Sequence, residues 1–343
     1  MHTQIFKIDS PEDAEKIEAA AKILRNAGIV AIPTETVYGL AANALDGMAV
    51  SNIIKAKGRP QDNPLIVHIS SFAEIYPLVK TVPRSAVELA RVFWPGPLTI
   101  VLPKTAVIPD EVSAGLDTVA VRMPAHPVAR AIIEAAGVPL AAPSANTSGS
   151  PSPTTAQHVL DDLNGLIDAV VDGGECAVGV ESTVISLAGN TPRLLRPGGI
   201  TPEQLEAVLG KIDIDDAVFS ALVQNEIPAS PGMKYKHYSP KARLVILKGD
   251  LRKFAAYVQK NAADGTVVLC YEGEQGSMPV EAVSFGHSDN AGEQAHQLFN
   301  ALRQIDALPG VHTVFARCPA AEGLGLAVYN RLLRAASFEV VEL

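Results

Sequence analysis

The 343-residue sequence predicts an α/β protein with two sheets: a mixed sheet covered by helices over residues 1–210, a linker or lid at 211–241, and a smaller doubly wound domain over 242–343. Three observations carry this reading. Short runs of strand character alternate with helical patterns along both parts. Two pairs of strands in the first part follow one another with no helix between them, which makes the sheet mixed rather than wholly parallel. Between the parts, residues 227–240 are rich in Pro, Gly and Ser and keep no regular period.

The first element is a helix in SPEDAEKIEAAAKILRNAG, with Ser10 as N-cap, Pro11 at the first helical position, Asp13 in the first turn and Gly28 at the close. Strands are predicted at 29–33, 65–70, 97–102, 118–123, 139–142, 168–172 and 183–187, with helices at 47–57, 84–93, 126–137, 155–164 and 202–210. After the linker come strand 243–247, helix 250–262, strands 266–271 and 281–285, helix 291–306, strand 311–316, helix 322–336 and strand 338–342. Parallel strands with intervening helices are the pattern of a doubly wound sheet.

Composition narrows the function classes. At 48% hydrophobic the chain can bury a sizeable core, and no run approaches the length of apolar residues that crosses a membrane. An acidic start (Asp9, Glu12, Asp13, Glu15) does not fit a signal peptide, so a cytoplasmic location is expected. Cys176, Cys270 and Cys318 form no CxxC pair, which excludes a disulfide framework and a thiolate zinc site; small buried hydrophobes are the expectation. A net charge of −9 argues against stable coating of nucleic acid by bulk attraction. Residues 1–230 hold 16 Lys/Arg against 26 Asp/Glu, whereas 231–343 hold 12 against 11, with cations crowded at the front (Lys234 to Lys253). Any nucleotide must therefore meet a local positive patch.

No GxxxxGK[ST], HExxH, GxSxG or EF-hand loop is present, and GLGLA at 323–327 sits in a late helix. The candidates are short polar clusters beside strands. In IVAIPTETVYGL an apolar run meets Pro33, and then Thr34, Glu35, Thr36 and Tyr38 crowd together before Gly39. Lys57 and Arg59 flank Gly58, so two cations can reach one anion, the alternative being a solvated turn. Arg122 stands in the middle of an apolar strand, where a buried guanidinium needs a carboxylate or phosphate; a structural ion pair is the other reading. His68 on an apolar strand reads equally as a satisfied core histidine. Ser144 and Asn146 can offer hydroxyl and amide groups to phosphate oxygens or to a hydrated metal, or serve turns and caps. Arg196 stands before Pro197-Gly198-Gly199, either in the site or at the surface. If the strands share one sheet, these residues converge at its strand ends on a polyanion pocket with hydroxyls beside it.

The motifs PTETVYGL, KGRPxxNPL, WPGPLT, VRxPxHP, PSANxSGxPSPT, GxESTV and RPG occur in this order over residues 1–200. Together they resemble the YrdC-like L-threonylcarbamoyladenylate synthases, and SPGMKYKHYSP at 230–240 resembles the linker of that family's long form. The resemblance implies a twisted mixed sheet with a large positive cavity and a small Rossmann-like second domain. It implies synthesis of L-threonylcarbamoyl-AMP from L-threonine, bicarbonate and ATP with release of pyrophosphate. The product would pass to a separate transferase that modifies tRNA position 37. Carried over by position, Thr34, His68, Arg122, Ala142 and Ser182 would contact threonine. Arg59, Asn63, Thr118, Ser144, Asn146, Ser152, Arg196, Tyr235 and His237 would contact ATP, with Lys57 and Arg59 stabilising charge on the phosphates. Magnesium would accompany ATP without a dedicated protein metal site. Tyr235, His237 and Tyr238 would close over the pocket. An RNA-binding module is the first rival; a related hydrogenase-maturation carbamoyltransferase is the second, disfavoured by the missing CxxC pairs.

Overall fold

The computed structural model describes residues 2–220 and 237–343. They form two compact units: 2–148, 152–177 and 181–220 in one, and 149–151, 178–180 and 237–343 in the other. The linker sequence at 221–236, Tyr235 included, lies outside the described residues.

The first unit carries strands β1 (Gln4–Lys7), β2 (Val30–Ile32), β3 (Gly39–Asn43), β4 (Ile66–His68), β5 (Leu98–Pro103), β6 (Thr118–Arg122), β7 (Leu140–Ala141), β8 (Ala169–Asp172), β9 (Thr183–Ser186), β10 (Arg193–Arg196) and β11 (Asp213–Ile214). They form one mixed sheet in the order β1-β8-β2-β3-β7-β4-β6-β5-β9-β10-β11. Its middle alternates direction: β7 runs antiparallel to β3 and β4, β4 parallel to β6, and β6 antiparallel to β5. One face of these strands supplies Val67, Val121, Leu98, Ile100, Leu102, Ile185 and Leu194 to a core completed by Ala86, Leu89 and Ala90 of the helix Arg84–Phe93 and Leu205 of the helix Pro202–Leu209. The helix Arg84–Phe93 is strongly two-sided in sequence, and its apolar stripe is what the sheet buries.

The first helix begins later than its sequence predicts. It spans Ala14–Arg25, and its N-cap is Asp13, whose carboxylate accepts the Lys16 amide at 3.3 Å. Ser10 instead closes the preceding turn, its hydroxyl accepting from the Glu12 amide. Two good capping residues compete here, and the one nearer the apolar stripe prevails. Strands β1, β3 and β10 were not evident from the sequence. Residues 213–218, assigned from sequence to the linker, pair β11 with β10 and place Ala217 in a small cluster with Ile66, Val101, Ala120, Val184 and Leu195.

The second unit is wholly parallel: β12 (Arg243–Lys248), β13 (Thr266–Cys270), β14 (Ala282–Ser284), β15 (Thr313–Arg317) and β16 (Val340–Glu342), in the order β14-β13-β15-β12-β16. Tyr238 is a core residue of this unit; its ring packs 5.2 Å from that of Phe299, with the Arg331 guanidinium 5.7 Å above it. Cys176 and Cys270 are buried and Cys318 half-buried, all as free thiols.

Gly198 marks the tightest crossing near the polar residues of the first unit. A Cβ there would stand 2.2 Å from the Thr183 amide nitrogen and 2.5 Å from the Glu181 carbonyl, both backbone atoms that cannot step aside. Gly198→Ala is therefore predicted to lower the unfolding free energy by about 2 kcal/mol or more, measured by urea denaturation; an unchanged midpoint would show that this crossing relaxes freely.

Candidate active site

Strand alternation decides which side chains meet. Along β6, Thr118, Ala120 and Arg122 share one face while Val119 and Val121 enter the core on the other. The registers His68↔Arg122, Thr99↔Arg122 and Thr99↔Val184 then put His68, Arg122 and Thr99 on that same face, and a register shift in β10 between Leu194 and Arg196 brings Arg196 opposite Val184. His68, Arg122 and Arg196 are the last residues of β4, β6 and β10, so the polar groups lie at strand ends, as expected, but not along one common edge of the sheet. Because neighbours run in opposite directions, β4 and β6 end near the start of β5 and β9, whereas Ser144 lies opposite Gly39 and continues β7 toward the other end. The polar residues gather across a face, reached from both ends.

Around Arg122 the turn Pro33–Tyr38 does the holding. The guanidinium is 4% exposed; Nε donates to the Gly96 carbonyl (3.3 Å), Nη1 to the Thr36 hydroxyl (2.9 Å) and Nη2 to the Glu35 carboxylate (2.6 Å). Glu35 also accepts the Ala125 amide at 3.0 Å. Burial pushes the Glu35 carboxyl upward, but the charge and hydrogen bonds of Arg122 reverse this and hold it below its ordinary value of 4.5. Thr34 Oγ1 lies 2.8 Å from Thr36 Oγ1 and donates to the Val37 carbonyl at 2.6 Å. A directed chain therefore runs from Arg122 through Thr36 and Thr34 into the turn.

Next to Arg122, the His68 ring has Nδ1 3.1 Å from the Ile66 carbonyl. A carbonyl only accepts, so Nδ1 carries the proton and Nε2 is left as an acceptor. Burial first, and then the Arg122 charge, push this imidazole down to about 3. Ala142 donates its amide to Ile66, bringing the β7 backbone alongside. Further across, the Ser182 hydroxyl lies 2.7 Å from that of Thr99, and Arg196 donates to the Ser182 carbonyl (3.1 and 3.0 Å) and hydroxyl (3.2 Å). Thr99, invisible inside an apolar strand, and Glu35 and Thr36 are the members that the sequence did not assign.

A second group sits around the loop after β7. Lys57, 2% exposed, ends the helix Gly47–Lys57, whose C-cap Gly58 takes the left-handed conformation with φ 62°. Its ammonium donates to the Ser144 carbonyl at 2.5 Å and to that of Asn146. The Ser144 hydroxyl in turn donates to Asn146 Oδ1 at 2.5 Å. Arg59 donates to the carbonyls of Asn63 (3.3 Å) and Pro64 (3.1 Å). Asn63 is 3% exposed, and among the described residues neither its amide nitrogen nor its amide oxygen has a hydrogen-bond partner. Ser152, fully buried, donates to the Glu181 carboxylate. Thr118 opens β6 opposite Pro103, on the face of Arg122. Of the remaining candidates, His237 belongs to the second unit and Tyr235 is outside the described residues. No group of three or more His, Cys, Asp or Glu among the described residues could hold a metal.

His68 gives this face a pH signature. An unfolded chain protonates histidine near 6.5, while the folded ring resists until about 3. The unfolded state thus binds the extra proton in between, and the stability present above 6.5 is lost as pH falls toward 3, on the order of 3 kcal/mol by about pH 4. In His68→Gln this part of the acid destabilisation should vanish, read from urea midpoints between pH 7 and 4; the same slope in variant and parent would assign the effect elsewhere.

Comparison with known proteins agrees with these elements. Residues 22–198 match the Sua5_yciO_yrdC family model, described as telomere recombination, and residues 200–337 match the threonylcarbamoyl-AMP synthase C-terminal domain. The threonylcarbamoyl-AMP synthase of Pyrococcus abyssi is 48% identical over 99% of this chain and 99% of its own length. That of Bacillus subtilis is 47% identical over 95% and 94%. The crystal structure of P. abyssi Sua5 complexed with L-threonine superposes with a TM-score of 0.92 at 45% identity, covering 99% of this chain and all of that one. With both family models matched in order and near full-length identity to its relatives, the chain belongs to the Sua5/YrdC family of threonylcarbamoyl-AMP synthases, in the form that carries a second domain.

Proposed function

We propose that the polar face of the first sheet is where the family's reaction runs, with threonine against Arg122 and His68 and the triphosphate near Lys57, Arg59 and Arg196. The enzyme makes L-threonylcarbamoyl-AMP from L-threonine, bicarbonate and ATP, for threonylcarbamoyladenosine modification of tRNA. The observation that carries the nucleotide assignment is Asn63, a buried amide with both polar atoms unpaired beside the Arg59 guanidinium. Each unpaired buried polar atom costs about 1–3 kcal/mol, an expense a bound nucleotide would remove. The threonine assignment rests on Arg122 and on the neutral His68, whose Nε2 can accept from an ammonium or hydroxyl. Ser182, Ala142 and the Thr34 turn complete that wall; since the Thr34 hydroxyl is committed to its own turn, Thr34 offers chiefly its methyl group and backbone.

Bicarbonate supplies the carbon. The threonine amine adds to it with loss of water to give a carbamate, and a carbamate oxygen then attacks the α-phosphorus as the bond to the β-phosphate oxygen breaks and pyrophosphate leaves. No covalent enzyme intermediate is required, because holding two reactants in line and stabilising phosphate charge supply most of the acceleration. Lys57, Arg59 and Arg196 would meet that charge, with backbone carbonyls of Ser144, Pro64 and Ser182 helping to orient their N–H groups. Thr118, Ser144, Asn146 and Ser152 would add hydroxyl and amide contacts to the nucleotide. Magnesium would come with the nucleotide, held by phosphates and water beside Ser144 and Asn146 rather than by a carboxylate cage, and would offset phosphate charge. The product passes to a separate tRNA transferase. Among the described residues no helix is long and apolar enough to cross a membrane, in keeping with work in the cytoplasm.

Purified protein given ATP, bicarbonate and labelled threonine should release pyrophosphate only when all three are present; release indifferent to threonine and bicarbonate would remove this reading. Arg59→Ala should raise KM for ATP by about tenfold or more, the loss of charged hydrogen bonds, while threonine affinity stays within about twofold. Equal effects on the two substrates would break the division of the site.

A further inference from the structure

Glu35 is a half-buried acid beside Arg122 to which none of the assignments above gives a task. Its neighbours define one. An arginine has five N–H donors, and Arg122 commits three of them: Nε to Gly96, Nη1 to Thr36 and Nη2 to Glu35. One N–H on each terminal nitrogen is left, on a side chain 4% exposed. A pair of N–H groups on Nη1 and Nη2 is what a planar carboxylate takes in two-point fashion. Their direction depends on which way the guanidinium plane is turned, and that is fixed by the two consecutive residues Glu35 and Thr36.

We propose that Glu35, with Thr36, is the positioning residue that aims Arg122 at the carboxylate of the amino-acid substrate. The inference rests on the proposed contact of Arg122 with threonine and names what makes that contact selective. Glu35 is itself held from the far side by the Ala125 amide at 3.0 Å, so the carboxylate bridges two chain segments and has little freedom. Thr36 is held through Thr34 to the Val37 carbonyl, which fixes the second anchor independently. Charge alone does not account for the arrangement. Glu35 cancels the Arg122 cation, and a zwitterionic amino acid carries no net charge for either to attract, so orientation is what the pair contributes.

Glu35→Ala tests this, with L-threoninamide as a probe that lacks the carboxylate. The variant should raise KM for L-threonine by about tenfold or more, leave KM for ATP nearly unchanged, and collapse the preference for threonine over threoninamide in kcat/KM. Glu35→Gln keeps an oxygen for Arg122 Nη2 and should retain most of that preference. Thr36→Val, which removes the Nη1 anchor at constant shape, should lower it partway, and this variant decides the matter if Glu35→Ala does not fold. A preference that survives in Glu35→Ala or in Thr36→Val, or a parallel rise of both KM values with a fall in Tm, overturns the positioning role. Arg122→Ala separates the layers: if it leaves the threonine preference intact, the underlying contact is wrong; if it abolishes the preference while Glu35→Ala does not, only the inference falls.

Discussion

A guanidinium buried at the end of an interior strand is the constraint around which the first unit is arranged. Arg122 cannot be removed from water alone, because an unpaired charge in that position costs several kcal/mol. The chain answers with an adjacent carboxylate, a hydroxyl and a carbonyl, each at hydrogen-bond distance. Satisfying it bends the segment Pro33–Tyr38 over the sheet face instead of letting β2 run on. That bend brings Tyr38 into the core, where its phenol donates to the Gly174 carbonyl at 2.7 Å, and starts the antiparallel return through β3. The polar cluster in PTETVYG is thus the price of a charged residue in the interior, and it is also what equips the site.

The mixed sheet sets this local requirement beside the other polar groups. In a wholly parallel sheet, side chains at one end of every strand would point to a common rim. Here the mixed directions bring His68, Arg122 and Thr99 together by register on one face, with Arg196 joining through a register shift in β10, while the alternate residues of β4, β5 and β6 build the core on the other. The residues of the proposed site and those of the core share the same strands at a period of two. The apolar cluster of Ile66, Ala120, Val101 and Val184 on the functional face continues that alternation and surrounds the polar groups with low-dielectric side chains, which strengthens their electrostatics.

Much of this was legible in the sequence and some was not, for physical reasons. The long strands and amphipathic helices announce themselves by periodicity, and the parallel second sheet by its alternation with helices. Strand β3 hid because GLAAN is small and buried on both sides, without alternation or β-branched residues. Strand β10 hid behind two arginines that read as a turn before Pro197. The cations Lys57, Arg59, Arg122 and Arg196 could be found by their improbable company, but their convergence could not: it depends on strand order and direction, which pattern alone leaves open. Thr99 gives no signal in LTIVL, since a threonine there is an ordinary strand residue. Ser10 and Asp13 show the limit at a helix start, where either cap satisfies the local rule and packing of the stripe chooses.

In the proposed reaction one face of one sheet seats both the amino acid and the triphosphate. A crystal structure of the full chain with L-threonine and a non-hydrolysable ATP analogue tests that claim most directly. It should show the threonine carboxylate on Nη1 and Nη2 of Arg122, and the phosphates among Lys57, Arg59 and Arg196 with the Asn63 amide engaged. Density for either ligand on the opposite, helix-covered face or wholly within the second unit would contradict it.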